Sequence, residues 1–281
     1  MSFLIHLAAI ARKRANPFVG PLDAYTANLA GAWSAARRLL SAYTGPLIRV
    51  RRSSDDAETD IGYSALGVLD TATLLTFCGS ASGFVRTVYD QNAAHGHDQG
   101  QTVALNQARL VNAGTLEVGT GGKPMANFTT AGMFLNASGA PAITPNATAL
   151  TVINGVAASG RFAGSGNAFQ RNELVYQSGI YFANATFLGN STGIAGTGTG
   201  AVAWKMAGAA DRSWQLDGGA EVADNGGTLS DTFGVSGWFV DNVGGGPVGI
   251  GTGKMSELIT YATTLSEADV QAIQATQGGM S

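Results

Sequence analysis

Two short runs in which apolar and polar residues alternate constrain the fold of this chain more than any other feature. They are Leu47–Arg51 and Gly83–Tyr89, and polar, glycine-containing turns separate them. A period of two residues is typical of a strand that has one face buried. The residues predicted to reach the core are Leu47, Val50, Phe84 and Val88.

The composition extends this β pattern to the whole chain. The 281 residues include 40 glycines, 45% of them are hydrophobic and only 12% are charged, whereas soluble domains usually carry about 25% charged residues. This apolar fraction is too high for disorder, and glycine supplies the left-handed conformations of tight turns. The net charge of −3 gives no basic footprint, so we expect no nucleic-acid partner.

Further strands and three helices are predicted along the chain. The strands are Ala108–Val111, Thr115–Val118, Pro124–Phe128, Ala149–Ile153, Glu173–Tyr176, Ile180–Phe182, Ala201–Met206 and Ser213–Leu216. Helices are predicted over Ala24–Ser41, from its apolar spacing, over Asp70–Phe77, and over Ser266–Thr276, where Ser266 and Asp269 resemble a capping box.

The first 19 residues differ from the rest of the chain. Met1–Ile10 is apolar and Arg12-Lys13-Arg14 follows it, which is the reverse of the order in a secretory signal. We predict an N-terminal arm over residues 1–19, for docking or oligomerisation, ahead of one domain over residues 20–281. The alternative is a disordered N-terminus without a role in assembly.

The chain offers little for metal binding or for crossing a membrane. Cys78 is the single cysteine, so an internal disulfide is excluded. His95, His97 and Asp98 could ligate a metal or form a polar surface loop. We expect no metal and no cofactor. No apolar run reaches roughly 18 residues, so no membrane span is predicted.

Four segments of the N-terminal third stand out as motifs: Gly20-Pro21-Leu22-Asp23, Arg52-Ser53-Ser54-Asp55-Asp56, Thr76-Phe77-Cys78 and Tyr89-Asp90-Gln91. Together they resemble the start of the α-L-arabinofuranosidase B catalytic domain. The resemblance covers Gly20 to about Asp98 well and the rest loosely. The resemblance implies that Arg52, Asp55, Asp56 and the Tyr89-Asp90-Gln91 run are a structural signature of this catalytic domain. Similar segments also occur in bacteriophage virion proteins.

The resemblance also implies residues for catalysis and for a disulfide. Its hydrolases use a Glu nucleophile in a Met-Glu-Ala strand and an Asp acid/base in a Gly-Gly-Asp-Asn context. The nearest matches are Glu173, a poor one, and Asp241, where Phe239-Val240 replaces the glycines. The adjacent cysteine pair of the family is absent. In its other disulfide, Cys78 matches one partner and Gly83 takes the place of the second.

The C-terminal segment runs from Gly253 through Glu257 and Tyr261 into the Ser266 helix. It resembles the last strand and closing helix of concanavalin-A-like (laminin-G-like) jelly rolls. We therefore predict a mainly β chain, an antiparallel β-sandwich (jelly roll) with a few short helices. Candidates for glycan binding, by stacking and hydrogen bonding, are Trp204, Trp214, Trp238, Asp241 and Asn242. The tryptophans could instead fill the core.

Two functions are consistent with these features. The first is a bacteriophage virion structural protein, a tail, fibre or decoration component assembled in the host cytoplasm. It would associate with other virion proteins, form a homo-oligomer and display a lectin-like sandwich toward cell-surface polysaccharide. The alternative is a retaining glycoside hydrolase of the α-L-arabinofuranosidase type. Because the cysteine pair is absent and the nucleophile context matches poorly, we predict the first, without glycosidase activity.

Overall fold

A computed structural model gives the fold. It describes residues 18–92, 96–137, 146–157, 159–164, 172–185, 189–190, 193–208, 211–224, 237–243, 246–249 and 251–278. The predicted N-terminal arm lies outside these residues except for Phe18 and Val19. In the described part of the chain no helix is long and apolar enough to cross a membrane.

The described residues form 22 strands, two α-helices and a 3-10 turn at Ala104–Asn106. The helices are α1 (Thr71–Cys78) and α2 (Glu267–Gln277). The strands are β1 (Leu29–Ser34), β2 (Ile48–Arg52), β3 (Glu58–Ile61), β4 (Gly83–Val88), β5 (Gln99–Gly100), β6 (Arg109–Asn112), β7 (Thr115–Leu116), β8 (Ala126–Phe128), β9 (Leu135–Ala137), β10 (Asn146–Asn154), β11 (Ser159–Gly164), β12 (Asn172–Gln177), β13 (Ile180–Ala185), β14 (Gly189–Asn190), β15 (Ile194–Ala195), β16 (Gly200–Ala207), β17 (Arg212–Leu216), β18 (Val222–Ala223), β19 (Gly237–Trp238), β20 (Val240–Val243), β21 (Gly246–Gly249) and β22 (Gly253–Tyr261).

The strand pairings define two antiparallel layers. The first layer has the order β1-β22-β10-β16-β17-β18. The second has the order β3-β2-β4-β5-β9-β19-β11-β12-β13. Strand β8 connects the layers because it pairs with β22 of the first layer and with β6, which in turn pairs with β4 of the second layer. The predicted antiparallel β-sandwich is confirmed.

The main core lies between these layers. Trp33, Trp204 and Leu258 come from the first layer, and Val88 and Leu174 from the second. A second apolar cluster covers the other face of the first layer, where Val270 and Ile273 of α2 pack on buried strand residues. Helix α2 thus covers the outer face of the first layer, which leaves the outer face of the second layer, where Glu173 lies on β12, free of this helix.

The predicted helix over Ala24–Ser41 is wrong. Residues 29–34 form β1, which pairs with β22, and every residue of β1 is buried. A strand buried on both faces is apolar throughout, so apolar residues also recur at helical spacing by chance. Asn28, with φ of 57°, adopts the left-handed conformation just before the strand begins.

The other two predicted helices are confirmed. Asp70 caps α1 by accepting a hydrogen bond from the Thr73 amide at 3.0 Å, and Ser266 caps α2 by accepting from Asp269. The predicted strands are present with shifts at their ends. One core assignment is wrong: a bulge between β2 and β4 places Val85, not Phe84, opposite Val50, and the guanidinium of Arg51 lies over the Phe84 ring.

Candidate functional site

A continuous row of polar residues and glycines crosses the second layer. Each member is directly paired with the next on the neighbouring strand. The row runs Asp60, Arg49, Thr87, Gly100, Asn136, Gly237, Gly164, Glu173, Asn184 and Asn190. Directly paired residues share a face of an antiparallel sheet, so these ten positions lie on one face of the layer.

The next row along the strands shows which face this is. Leu135, Trp238, Ala163 and Leu174 are paired in the same way, and each is fully buried in the main core. Successive residues of a strand point to opposite faces. The polar row therefore lies on the face of the second layer that points away from the first layer.

Asp241 and Asn242 lie on β20, which follows β19 after a bend at Phe239. Phe239 has φ of 51° and is fully buried, and its ring stacks on Phe128 with centroids 4.4 Å apart. Its amide donates to the carbonyl of Phe162 on β11 at 3.1 Å. Strained, buried residues of this kind cluster at functional sites. The bend directs the chain into the β20–β21 hairpin, which lies against β11.

The backbone therefore brings the two candidate carboxylate positions into one region. Glu173 is paired with Gly164 on β11, and Gly164 is paired with Gly237 on β19. Asp241 follows Gly237 by four residues, on the hairpin that packs on β11. One strand, β11, thus separates the strand of Glu173 from the strand that leads to Asp241.

The three candidate tryptophans lie in the interior. Trp204, Trp214 and Trp238 are each 0% exposed, and Trp204 is paired directly with Trp214. The Trp214 indole donates to Asp224 at 2.9 Å. Trp238 belongs to the buried row, on the face opposite to Gly237. In this structure none of the three presents its ring to solvent, so glycan stacking on them stays a prediction that would require the chain around them to open.

The charged residues around Ser53 and Ser54 form two ion pairs. Arg52 binds Asp55 through two bonds of 2.9 and 2.6 Å, and Arg51 binds Asp56 at 2.6 Å. The hydrogen bond from Arg52 lowers the pKa of Asp55 to about 2. Arg52 also donates to the Phe77 carbonyl at the end of α1. These contacts fasten the β2–β3 turn to α1.

The Tyr89-Asp90-Gln91 run joins β4 to β1. Asp90 accepts hydrogen bonds from the amides of Ala32, Asn92 and His97, and Gln91 accepts one from the Leu39 amide at 2.6 Å. Burial raises the pKa of Asp90. Asp90 and Gln91 thus hold backbone groups in place within the fold.

Tyr89 closes the solvent-exposed end of the polar row. Its hydroxyl donates to Asp60 at 2.7 Å, and Arg49 holds the same carboxylate through bonds of 2.8 and 2.9 Å. Burial, followed by the bond to Asp60, raises the pKa of Tyr89 to about 12.

The loop with the histidine pair offers no metal geometry in its described part. Among the residues that the structure describes, no group of three His, Cys, Asp or Glu side chains could hold a metal ion. The His97 carbonyl accepts a hydrogen bond from the Trp33 indole, and Asp98 accepts one from the Asp90 amide. His95 lies outside the described residues.

A comparison with protein families identifies the chain. The model described as "Alpha-L-arabinofuranosidase B, catalytic" matches residues 21–208, which is about two thirds of the chain. The chain belongs to the alpha-L-arabinofuranosidase B catalytic family. This confirms the arabinofuranosidase part of the resemblance seen in the sequence.

Curated relatives from this arabinofuranosidase family match a shorter segment. The chain is 42% identical over 82 residues to a probable alpha-L-arabinofuranosidase B of Aspergillus flavus. It is 38% identical over 81 residues to an arabinofuranosidase/B-xylosidase of Trichoderma koningii. In each case the match covers 28% of this chain and only 16% of the relative.

Solved arabinofuranosidase structures show the same fold over a much longer stretch. One is complexed with arabinofuranosyl-alpha-1,2-xylobiose, and another was soaked with a cyclic sulfate inhibitor. Both match with a TM-score of 0.67, over 92% of this chain and 64% of theirs, at 18% and 17% identity. These matches establish the β-sandwich of the arabinofuranosidase family for this chain.

The prediction of a bacteriophage virion protein is wrong. The matched family and the relatives named above are arabinofuranosidases of Aspergillus and Trichoderma, and nothing in the comparisons indicates a phage protein. The predicted display of a lectin-like sandwich on a virion and the predicted location in a virion are therefore also wrong. Homo-oligomerisation and a polysaccharide partner stay predictions.

Asn136, Gly164 and Gly237 were not predicted from the sequence of this arabinofuranosidase-family chain. They belong to the polar row only through pairing between strands that are distant in sequence. Glycines are so common in this chain that these two carried no local signal. They could have been predicted only if the register of the strand pairing had been known.

Proposed function

We propose that this chain is a retaining glycoside hydrolase that acts on α-L-arabinofuranosides, with Glu173 as nucleophile and Asp241 as general acid and base. The observation that carries the proposal is the strand register, which leaves only β11 between the strand of Glu173 and the strand that leads to Asp241. Membership of the arabinofuranosidase family supports the choice of substrate.

The strand register sets the condition for a retaining pair. Neighbouring strands lie about 4.8 Å apart, so β12 and β19 are separated by roughly 10 Å. Asp241 lies four residues beyond Gly237, past the bend at Phe239. In a retaining enzyme this bend would bring the Asp241 carboxyl group to ~5–5.5 Å from that of Glu173. Inverting enzymes need a wider gap, because a water must fit between sugar and base.

The proposed reaction has two steps. In the first, the Glu173 carboxylate attacks the anomeric carbon while the Asp241 carboxylic acid protonates the departing oxygen, which gives a glycosyl ester and a free alcohol. In the second, the Asp241 carboxylate removes a proton from water. That water attacks the anomeric carbon, releases arabinose and restores both carboxyl groups.

One departure from the family affects how the sugar is held. A chain with a single cysteine cannot supply the adjacent cysteine pair that the resemblance places beneath the sugar. The floor of the proposed site must therefore come from other parts of this chain.

Turnover of 4-nitrophenyl α-L-arabinofuranoside tests the proposal. We expect the wild-type protein to release 4-nitrophenol at acidic to neutral pH, with an initial sugar product that retains its configuration by NMR. Glu173→Gln should lower kcat at least about 1,000-fold and Asp241→Asn about 100-fold or more. A cyclic sulfate inhibitor should label the peptide that contains Glu173.

Matched controls separate catalysis from folding. Glu58→Gln and Asp211→Asn make the same chemical changes at exposed positions outside the proposed site and should keep wild-type turnover. All four variants should unfold at the wild-type temperature. A wild-type protein without turnover, or active Glu173→Gln and Asp241→Asn variants, would refute the proposed hydrolase.

A further inference from the structure

A pocket of about 420 Å³ lies between four segments of the chain. In its lining, Arg37 follows β1 and Thr71 opens α1, while Lys123 precedes β8 and Thr276 lies in the last turn of α2. We call it the cationic pocket. Small-molecule sites range from ~300 to 1,000 Å³, so this pocket has room for one sugar residue. None of the described residues that line it belongs to β11, β12, β19 or β20, so it is separate from the proposed catalytic pair.

Two cationic side chains and no acidic one are among the described residues that line the cationic pocket. The first, Lys123, is exposed and forms no ion pair within the described residues. A glycine turn fixes its position, because the Gly119 amide donates to the Lys123 carbonyl at 3.0 Å. A concave surface with an uncompensated positive charge favours an anion.

Arg37 is the second cation, and it keeps one donor available. It binds Glu257 through Nε and Nη2, and Nη1 donates to the Thr276 carbonyl at 2.6 Å. Nη2 also donates to the Thr276 hydroxyl at 3.1 Å. A guanidinium has five N–H groups, so one N–H of Nη1 has no acceptor among the described residues. The bond to Thr276 also satisfies a carbonyl at the end of α2 that would otherwise repel an anion.

The other lining residues add an apolar wall and a hydroxyl group. Val68 is 44% exposed, and Leu69 and Pro124 also line the pocket. The Thr71 hydroxyl makes no hydrogen bond within the described residues. A small inorganic anion would contact the cations alone. A sugar residue that carries a carboxylate would use all three kinds of group, because it has an apolar C–H face, hydroxyl groups and a charge.

We propose that the cationic pocket binds a uronic acid residue of the polysaccharide that carries the arabinofuranosyl group. The carboxylate lies between the Lys123 ammonium and the free N–H of Arg37, and the Thr71 hydroxyl binds a hydroxyl group of the ring. The C–H face of the ring packs on the apolar wall. The inference rests on the proposed hydrolase and adds to it a preference for acidic polysaccharides.

Binding of small glycosides tests the assignment directly. Saturation-transfer NMR and titration calorimetry measure the affinity for methyl α-D-glucuronoside, for methyl α-D-glucoside, which lacks the charge, and for acetate, which lacks the ring. The glucuronoside should bind at least about tenfold more tightly than either of the others. Its affinity should fall as NaCl is raised from about 0.05 to about 0.5 M. Equal affinity for the glucuronoside and the glucoside, or for the glucuronoside and acetate, would overturn the inference.

Substitutions locate the bound glycoside. Lys123→Gln should weaken glucuronoside binding about tenfold, and Lys123→Arg, which keeps the charge, should retain most of the affinity. Thr71→Val keeps the shape of the side chain without its hydroxyl and should weaken binding about fivefold. Arg86→Gln is the matched control, because it removes one positive charge outside the pocket, and it should bind like the wild type. Wild-type affinity in Lys123→Gln and Thr71→Val, or an equal loss in Arg86→Gln, would overturn the inference.

The pocket and the proposed hydrolase fail separately, because glucuronoside binding is measured without turnover. Glu173→Gln should bind the glucuronoside like the wild type. If the wild-type protein has no turnover but binds the glucuronoside and Lys123→Gln binds it about tenfold more weakly, the pocket stands and the hydrolase fails. Turnover of 4-nitrophenyl α-L-arabinofuranoside without glucuronoside binding overturns the pocket alone.

A polysaccharide substrate tests the preference itself. Arabinose release from an arabinoxylan that carries glucuronosyl residues is compared with release from the same polysaccharide after its carboxyl groups are reduced to alcohols. The wild-type protein should have a KM at least about threefold lower for the acidic form, and Lys123→Gln should remove the difference. Equal wild-type KM values for the two forms would overturn the inference.

Discussion

Gly83 and Cys78 lie within reach of a disulfide. A Cβ atom built on Gly83 would lie 2.7 Å from the Cys78 sulfur, close to the ~3 Å between a Cβ and the distant sulfur of a disulfide. Gly83→Cys should therefore form this bond. Closing so short a loop should stabilise the fold by about 2 kcal/mol. Thiol titration, intact mass and unfolding with and without reductant measure both effects.

The control for this disulfide is Gly83→Ser, which adds a similar side chain that cannot be oxidised. Burial raises the pKa of the Cys78 thiol, so oxidation should be faster in mildly alkaline buffer, where more thiolate forms. Two free thiols after oxidation, or an oxidised variant less stable than its reduced form, would contradict the prediction. The added Cβ would also lie 3.1 Å from a methyl group of Val50. The stabilisation by the disulfide must therefore be larger than the cost of this close contact.

Single residues also show where the sequence was a poor guide. Phe239 stands where the resemblance has glycine, and its φ of 51° keeps the left-handed backbone that glycine favours. That conformation costs roughly 1–3 kcal/mol, which burial and stacking on Phe128 offset. No local pattern could predict this, because the compensating ring lies more than 100 residues away.

At the scale of elements, a buried ion pair attaches α2 to the first layer. Glu257 on β22 is 0% exposed and binds Arg37 through bonds of 2.6 and 3.1 Å. It also accepts hydrogen bonds from Ser34 and from Gln277 at the end of α2. Arg37 donates in turn to the Thr276 carbonyl. One carboxylate thus fixes β1, β22 and α2 together.

Removal of this charge should be costly. Glu257→Gln leaves the Arg37 guanidinium partly buried without its counterion, so we expect a loss of about 3–5 kcal/mol. Asp60→Asn is the control, because it breaks the exposed pair with Arg49 and should cost at most about 1 kcal/mol. Urea unfolding of both variants gives the two values. Equal losses would show that burial of the pair does not matter.

The elements differ in how far sequence alone could define them. Helix α2 was predictable because its cap, Ser266 with Asp269, is local. Strand β1 was not, because its conformation depends on pairing with β22, more than 200 residues later. Glu257 could be seen as a strand residue, but its partner Arg37 was assigned to a helix that does not exist.

At the scale of the whole molecule, the sandwich was predictable and the site only in part. Alternating strands, glycine turns and the closing helix indicate a sandwich without any knowledge of register. Glu173 and Asp241 could be named by resemblance. Their shared location could not, because it depends on the order of β19, β11 and β12 in the second layer.

One ionic cluster joins the two layers and makes stability depend on pH. Glu117 binds Arg109 of β6 at 2.6 Å and Lys254 of β22 at 3.0 Å. Burial alone would raise the pKa of Glu117, but the hydrogen bonds from Lys254 and Arg109 outweigh it, so the pKa lies below the ordinary 4.5. The unfolded chain therefore binds the proton more tightly than the folded one.

The sign of the acid response follows from this lowered pKa. The contribution of Glu117 is complete above about pH 4.5 and is lost as the pH falls through the lower folded value. We expect the unfolding temperature of wild-type protein to fall below that pH, and Glu117→Gln to fall less steeply from a lower starting value. Glu58→Gln, which changes an exposed glutamate paired with Arg86 at 3.5 Å, should follow the wild-type curve. If the unfolding temperatures of the wild type and Glu117→Gln fell equally steeply below pH 4.5, the cluster between the layers would not govern the loss of stability.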